Sequence, residues 1–395
     1  MRGPERERAV ARIATVRRPA DVHGPAFDLA YVRSGPRTRT PAVVIPGGPG
    51  LGALRPYGAL RRWAAHGGLD LIMVEHRGVG RSRRDLAGHD LPFSAMRVDA
   101  VLDDLAAVLD REGVDRAHLV GSSYGSYLAA AFGMRHPGRV AGMLLDSALQ
   151  SPADLEIERA AVRALFWDAD DEVASGIRRL VTRDVDQRTL LDVVRAAHEL
   201  SGAELTGTVV RRRLRGRGGL LWAALRAYAT RDASIARIPG VYEFDLVGAI
   251  AFRELGYGAP LDGGPLDPAL TYAPLAGRFP AFAGSPHDIV AGTAAFDWPF
   301  VALAGDRDLR TPVAIARRAA VSAKDGVLVS IHNGHSALDT HPAALLNATR
   351  RLVTGQHRRL VDEAGALDRL PRVGISARAP QLLRALARVD ELTAR

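Results

Sequence analysis

The stretch LVGSSYGSYLAAAFG, residues 119–133, decides the fold. A short apolar run typical of a buried strand meets an alanine-rich run typical of a helix, and Gly121 and Gly125 flank Ser123 at the junction. Because side chains at the two glycine positions would collide with the adjoining strand and helix, the turn is tight and its serine strained. An ordinary helix N-cap serine is the plainer alternative. The G-x-S-x-G pattern in this context predicts a nucleophilic Ser123 at the carboxyl edge of a sheet.

Strand and helix patterns alternate on both sides of this turn. Continuous apolar runs predict buried parallel strands, and apolar residues at helical spacing predict a helix between Val98 and Leu109. Repeated strand–helix–strand units require right-handed crossovers, which predicts an α/β fold with a mostly parallel central sheet flanked by helices. The predicted strands cover residues 42–48, 69–75, 117–121, 139–147, 299–306 and 326–333.

The alternation stops between residues 150 and 295. Helical patterns at 158–180 and 190–200 precede a Gly/Pro-rich passage, and no clear buried strand is present. We predict that 150–295 is an inserted, mainly helical cap domain, and that 1–149 and 296–395 form the core domain. The sequence pattern of the tail, from about residue 357 to 395, predicts one or two amphipathic helices that pack on the rim of the fold.

A serine hydroxyl is a weak nucleophile at neutral pH, so the chain must supply a base and a group that orients it. Asp308, within GDRDLRTP, follows the predicted strand at 299–306, and His335, within NGHS, follows the next strand. Both therefore lie at the same sheet edge as Ser123. We predict that Asp308 orients the imidazole and that His335 takes the serine proton and returns it to the leaving group.

Other acids and histidines lie close to these two. Asp306 and His332 still belong to the strand patterns, and His341 precedes Pro342 at a predicted helix start. Asp308 and His335 are preferred because they lie beyond the strand ends.

Acyl transfer also needs donors for a developing oxyanion. The loop IPGGPG at 45–50 follows a strand directly, and backbone N–H groups of Gly48 and Tyr124 can converge on a carbonyl oxygen there. A merely flexible glycine loop is the alternative for this stretch alone.

These motifs together resemble the α/β-hydrolase fold and, within it, the proline iminopeptidase family of serine aminopeptidases. PGGPG at 46–50 is similar to the family's HGGPG, EHRGVGRS at 75–82 to its DQRGxGxS, and GSSYG to its GGSxG. Pro46 and Glu75 depart from the family's histidine and aspartate. The resemblance implies a serine hydrolase that removes an amino-terminal residue, by family proline, from short peptides through an acyl-enzyme.

Cap glutamates hold the substrate's free α-amino group in that family. In this chain Glu243 and Glu254, within VYEFDLVGAIAFRELGYG, are the corresponding candidates for substrate binding, with a solvent-facing position as the alternative for each. An apolar cap pocket without an amine site would instead favour an esterase, lactonase or thioesterase. A non-catalytic receptor that keeps the fold is a further alternative.

Composition limits the remaining classes. The net charge of +9 is the difference between 53 basic residues, of which 52 are arginine and one is lysine, and 44 acidic residues. No nucleic-acid motif accompanies the dense RRRLRGRGG at 211–219, so we predict no nucleic-acid partner. No apolar run is long enough to span a membrane, the first residues do not match a secretory signal, and cysteine is absent. We predict a cytoplasmic enzyme acting on a small molecule or short peptide, with no cofactor and no metal. The oligomeric state is left open.

Overall fold

A computed structural model describes residues 12–217, 219–230, 237–373 and 375–392. The charged amino-terminal residues 1–11, which the sequence assigns to the core domain, lie outside the described residues, as does the end of the tail.

The strands are β1 Ile13–Arg18, β2 Phe27–Ser34, β3 Ala42–Ile45, β4 Leu71–Val74, β5 Ala117–Ser122, β6 Val140–Asp146, β7 Arg237–Ile238, β8 Tyr242–Glu243, β9 Pro299–Gly305 and β10 Asp325–Ile331. Eight of them form one sheet in the order β1-β2-β4-β3-β5-β6-β9-β10. β1 pairs antiparallel with β2, β2 pairs antiparallel with β4, and all other neighbours are parallel. The two short strands β7 and β8 form a separate antiparallel pair.

Helices fill both the crossovers and the segment between β6 and β9. They are α1 Gly58–His66, α2 Val98–Arg111, α3 Tyr124–Arg135, α4 Asp154–Phe166, α5 Glu172–Val181, α6 Gln187–Ser201, α7 Ala203–Leu214, α8 Gly219–Thr230, α9 Phe244–Leu255, α10 Ile289–Gly292, α11 Val313–Ser322, α12 Ala337–Thr340, α13 Pro342–Val353, α14 Leu360–Asp368 and α15 Ile375–Leu392.

The α/β class is confirmed, and all six predicted strands are present as β3, β4, β5, β6, β9 and β10. The first five are short and largely buried because helices cover both faces of the sheet. β10 lies at the end of the sheet, and only three of its seven residues are buried. α2 confirms the helix predicted from Val98, and its apolar face is buried. The sequence did not indicate β1 and β2. β1 is an edge strand without a fully buried residue, so it carries no apolar run.

The segment between β6 and β9 is mainly helical, in agreement with the sequence. Its helices α4 to α8 share a hydrophobic core of their own, which also includes Leu383 and Ala387 of α15. The predicted tail helices are therefore present as α14 and α15, and α15 packs on this segment. We call residues 150–295 the insertion; its status as a separate cap domain remains a prediction.

The arginine-rich stretch at 211–219 ends α7 and precedes α8, with residue 218 outside the described part. Three of its arginines make contacts within the chain. An Arg211 nitrogen lies 3.3 Å from a carboxylate oxygen of Glu172. Arg212 donates a hydrogen bond to the carbonyl oxygen of Ala387, and the Arg213 guanidinium lies 4.8 Å from the ring centre of Trp222. No helix in the described part of the chain is long and apolar enough to cross a membrane.

Candidate active site

Ser123 occupies the turn between β5 and α3 in a conformation that few non-glycine residues adopt. Its backbone angles are φ 53° and ψ −122°, in agreement with the strained turn expected from the sequence. The neighbouring contacts explain why the flanking residues are glycine. A Cβ on Gly121 would lie 2.1 Å from the carbonyl oxygen of Gly125, and one on Gly125 would lie 2.1 Å from the carbonyl oxygen of Ile45.

The carboxyl ends of three parallel strands bring Ser123, His335 and Asp308 together. Ser123 follows β5, Asp308 follows β9, and His335 follows β10. His335 Nε2 lies 2.9 Å from Ser123 Oγ, and His335 Nδ1 lies 3.0 Å and 3.1 Å from the two carboxylate oxygens of Asp308. The three side chains form one continuous hydrogen-bonded chain, as the order of the motifs predicts.

The surroundings of Asp308 keep its carboxylate ionised. Burial favours the neutral acid, but the charge and hydrogen bond of His335 and donors from the next turn outweigh burial and lower the pKa of Asp308 to about 2. Those donors are the backbone N–H groups of Arg310 and Thr311, at 2.9 and 3.0 Å, and the Thr311 hydroxyl, at 2.8 Å. A fixed carboxylate of this kind can orient an imidazole.

The same pair sets the state of His335. Burial lowers the pKa of the imidazole, but the charge and hydrogen bond of Asp308 outweigh burial and raise the pKa above its usual 6.5. Because Nδ1 faces a carboxylate, the neutral ring carries its proton there. Nε2 is then free to accept the hydrogen of the Ser123 hydroxyl, which is the geometry of a general base.

The glycine loop after β3 lies against the serine. A Cβ on Gly47 would lie 3.0 Å from Ser123 Cβ and 3.6 Å from Ser123 Oγ, and Gly48 lines the same cavity as the hydroxyl. Gly48 has a φ of 118°, which favours glycine. Tyr124 is the first residue of α3, so its backbone N–H has no acceptor within the helix. The assignment of Gly48 and Tyr124 as oxyanion donors remains a prediction.

A cavity of about 570 Å³ opens above Ser123 and His335. Core loops form its floor, and α4, α6, α8 and α9 of the insertion contribute to its walls. Val373 and Ala379, before and within α15, line it as well. A cavity of this size accommodates a small molecule or a short peptide.

The structure does not place Glu243 or Glu254 on this cavity. Glu243 is buried, accepts hydrogen bonds from the backbone N–H groups of Gly80 and Gly240, and lies 3.3 Å from an Arg83 nitrogen. Glu254 is also buried; it accepts the backbone N–H of Val98 at 2.7 Å. We therefore correct the prediction that these two carboxylates bind substrate. Both accept hydrogen bonds from the protein itself, and neither faces solvent.

Two other glutamates of the insertion do line the cavity. Glu158 of α4 lies 3.0 Å from Arg195, and Glu199 of α6 lies 3.4 Å from Arg310. A Cβ on Gly334, the residue before His335, would lie 2.9 Å from Glu199 Cβ, so Glu199 packs against the histidine loop. Sequence reasoning missed both glutamates because each lies in an ordinary amphipathic helix without a local motif.

The comparisons with known proteins agree with the fold. Residues 40–342 match the family model described as the α/β-hydrolase fold. A crystal structure of proline iminopeptidase from Mycobacterium smegmatis covers 87% of this chain and 99% of its own, with a TM-score of 0.50 and 14% identity. The structure of Rv0554 from Mycobacterium tuberculosis covers 87% and 99%, with a TM-score of 0.51 and 16% identity. Likeness at this identity concerns the fold alone.

Curated relatives match only part of this chain. A probable proline iminopeptidase of Leptolyngbya boryana is 26% identical over 41% of this chain and 52% of its own length. A putative carbamate hydrolase, RutD, of a Caulobacter strain is 30% identical over 32% of this chain and 44% of its own length. The chain thus spans about half the length of the curated relatives it matches, and these relatives differ in the reaction named for them.

Proposed function

Because the chain belongs to the α/β-hydrolase fold family, we propose that it is a serine hydrolase that releases the amino-terminal residue, by resemblance proline, from short peptides. The observation that carries the hydrolase part is the hydrogen-bonded chain Ser123–His335–Asp308 at the floor of the cavity.

The reaction follows from this geometry. His335 Nε2 takes the Ser123 proton as Oγ attacks the substrate carbonyl, and Asp308 stabilises the resulting imidazolium. Backbone N–H groups of Gly48 and Tyr124 would hold the oxyanion; losing one such donor typically costs about 2.7–4 kcal/mol of barrier. His335 then gives its proton to the leaving amine, and water attacks the acyl-enzyme by the same route. Every step uses groups of this chain and water.

The charges on the cavity wall support an amine-bearing substrate. Four carboxylates line the cavity against two arginines, although the whole chain carries a net charge of +9. An ammonium group that leaves water needs an anionic partner. Burial raises the pKa of Glu158 to about 7 in spite of the charges of Arg195 and Arg310, so a bound ammonium would favour its ionised form. The carboxylates belong to Asp154, Glu158, Glu199 and Asp339, and the arginines are Arg195 and Arg310.

A second candidate is an esterase, lactonase or thioesterase that uses the same three residues. The observation in its favour is that Glu158 and Glu199 each already lie beside an arginine. If those ion pairs persist with substrate bound, the glutamates offer little to an amine, and a neutral acyl group fits the cavity better.

Three substrates separate the two candidates: proline-β-naphthylamide, its N-acetylated form and p-nitrophenyl acetate. We expect the free-amine amide to be cleaved, the acetylated amide to be refused, and Ser123→Ala to abolish all turnover. Glu158→Gln should raise KM for the free-amine amide by about tenfold or more and leave ester turnover unchanged, since losing a buried charge partner costs about 2 kcal/mol or more.

Glu156→Gln is the matched control, because Glu156 lies on the same helix with its side chain 69% exposed. Turnover of the ester without either amide would replace the peptidase proposal by the second candidate. Failure of a fluorophosphonate probe to label Ser123 in the folded protein would remove both and favour a non-catalytic receptor.

A further inference from the structure

A chain of four side-chain oxygens runs behind the catalytic residues. Ser122 Oγ lies 2.7 Å from Asp146 Oδ2 and 2.8 Å from Ser336 Oγ, and Ser336 Oγ lies 2.7 Å from Asp339 Oδ2. Ser122 directly precedes the nucleophile, and Ser336 directly follows His335. The chain therefore connects the two turns that must meet for Ser123 and His335 to be hydrogen-bonded.

The number of hydrogens does not match the number of contacts. Three oxygen–oxygen contacts of 2.7–2.8 Å have hydrogen-bond length, and each needs one hydrogen. The hydroxyls of Ser122 and Ser336 supply one hydrogen each, and ionised carboxylates supply none. One contact would then bring two oxygens together without a hydrogen between them, so a third proton must lie on one of the two carboxyl groups.

We propose that Asp146 carries this proton and that the four-oxygen chain makes Asp146 a positioning residue for His335. Hydrogen bonds then run in one direction, from the Asp146 carboxyl to Ser122, from Ser122 to Ser336, and from Ser336 to the Asp339 carboxylate. The part of the proposal that concerns catalysis depends on the proposed serine hydrolase function.

Burial decides which carboxyl group holds the proton. Asp146 is 1% exposed, whereas Asp339 is exposed, borders the cavity and accepts the Tyr57 hydroxyl at 2.7 Å. Burial raises the pKa of Asp146 to about 6, although backbone donors, a hydrogen bond from Ser122 to the ionised form and the charge of His335 all lower it. When His335 is neutral, as a general base must be, that last lowering influence is absent and Asp146 holds its proton to higher pH.

The same aspartate anchors the histidine loop through its backbone. Asp146 accepts the N–H groups of Ala337 at 2.9 Å and Leu338 at 3.0 Å, two and three residues after His335. A protonated Oδ2 can donate to Ser122 and still accept from Leu338, because its oxygen keeps a lone pair. The end of β6 thus fixes the loop that carries the imidazole.

Strained backbone on both sides of this contact shows how firmly it is held. Ser147 and Ser336 have φ values of 54° and 61°, and the backbone N–H of Ser336 donates to Ser147 Oγ at 2.9 Å. Such conformations are costly for a residue with a Cβ and persist where surrounding contacts impose them. Loss of Asp146 would let the loop relax and move His335 away from Ser123.

Asp146→Asn tests the proposal. The N–H groups of Ala337 and Leu338 are directed at different oxygens of Asp146, and the amide NH₂ replaces one of those oxygens, so one N–H loses its acceptor. We expect kcat for the best substrate to fall about 100-fold with KM nearly unchanged, because a displacement of about 1 Å in a reacting group has that effect. Asp70→Asn is the control: Asp70 is buried and ion-paired with Arg33 just before β4, at the opposite sheet edge. It should leave kcat unchanged.

An infrared measurement tests the proton independently of turnover. In the full-length protein we expect Asp146 to give a carboxylic-acid carbonyl band, besides the one expected from Glu158, that fades as pH rises through a midpoint above about 6, is absent in Asp146→Asn and persists in Asp70→Asn. Ser122→Ala, which keeps the carboxyl group but removes its hydroxyl acceptor, should shift the band to higher frequency. Absence of such a band in the wild type, or a kcat for Asp146→Asn equal to that of the control, would overturn the proposal. If no substrate is turned over, the band still shows whether Asp146 is protonated. Failure of the proposed hydrolase function is therefore distinguishable from failure of the proposal for Asp146.

Discussion

Two histidine–aspartate pairs join the loops after β9 and β10, and only one of them faces the serine. His332 Nδ1 lies 2.7 Å from Asp306 Oδ2, a shorter contact than the 3.0 Å between His335 and Asp308. The side chains of the first pair are 66% and 41% exposed, whereas those of the second are 15% and 0% exposed. Contact distance alone therefore does not identify the pair that can do chemistry.

The third partner separates the pairs further. His332 Nε2 lies 2.7 Å from an Arg307 nitrogen, which donates to it, so the lone pair needed by a base is already used. His335 Nε2 instead faces the hydroxyl of Ser123. Both pairs place an imidazole beside a carboxylate. The pair proposed for catalysis differs because it is shielded from water and because its imidazole has a hydroxyl partner. Matched substitutions in the two pairs test this difference.

The largest expected difference concerns the histidines. His335→Ala should lower kcat on the order of 10⁶-fold, as loss of the base does in serine hydrolases of this type, because no neighbour can take the Ser123 proton. His332→Ala should leave kcat within a factor of two of the wild type. Steady-state kinetics on the best substrate measures both. Equal losses in the two variants would contradict the assignment of the base.

The aspartates should differ by a smaller factor. Asp308→Asn keeps the shape of the side chain but no longer selects the tautomer with the proton on Nδ1, so kcat should fall about 10⁴-fold. Asp306→Asn should have little effect on the same assay. An Asp308→Asn variant with wild-type kcat would show that the imidazole is oriented by another group.

Substitution should reduce folding stability more at the buried Asp308 than at the exposed Asp306. Asp308→Ala leaves buried donors and a buried imidazole without their partner and should lower the free energy of unfolding by about 3–5 kcal/mol. Asp306→Ala removes an exposed carboxylate–imidazole hydrogen bond, worth about 0.5–1.5 kcal/mol. Chemical denaturation of both variants at one pH measures the difference. A similar loss of unfolding free energy in both variants would contradict the expectation that the exposed pair contributes less to stability than the buried pair.

The smallest expected effect concerns pH. Asp308 raises the pKa of His335 above 6.5, and only the neutral imidazole is a base, so kcat/KM should rise with pH through a midpoint above 6.5. Removing the charge in Asp308→Asn leaves burial, which lowers the pKa, so the residual activity should show a midpoint lower by about 1 pH unit or more. The Asp306→Asn midpoint should not move, and a common shift in both variants would argue against the pairing.

The core of the site could be predicted from sequence because its chemistry is tied to strand ends. G-x-S-x-G, GDRDLRTP and NGHS each follow an apolar run, and parallel strands bring their carboxyl ends to one edge. The motifs also favoured His335 over His332, because the predicted strand at 326–333 includes His332. In the structure β10 ends at Ile331, so both histidines follow the strand and only their contacts separate them.

The cavity wall could not be predicted in the same way. Glu158 and Glu199 meet the histidine loop through packing between helices, and their helices show only the ordinary amphipathic pattern. The resemblance predicted that Glu243 and Glu254 bind substrate, yet both accept hydrogen bonds from backbone N–H groups of the protein. Asp146 falls within the predicted strand at 139–147 and belongs to no motif, because a proton on a buried carboxyl group leaves no trace in residue spacing. Tertiary contacts between distant helices and loops decide these roles.

Val373 and Ala379 lie on the cavity wall, so we expect the carboxyl-terminal segment to contribute to substrate selectivity. Substitutions there should change the size and polarity of the cavity without touching Ser123, His335 and Asp308 or the sheet that holds them. The segment lies outside residues 40–342, which match the family model, so selectivity can differ between proteins that share this model.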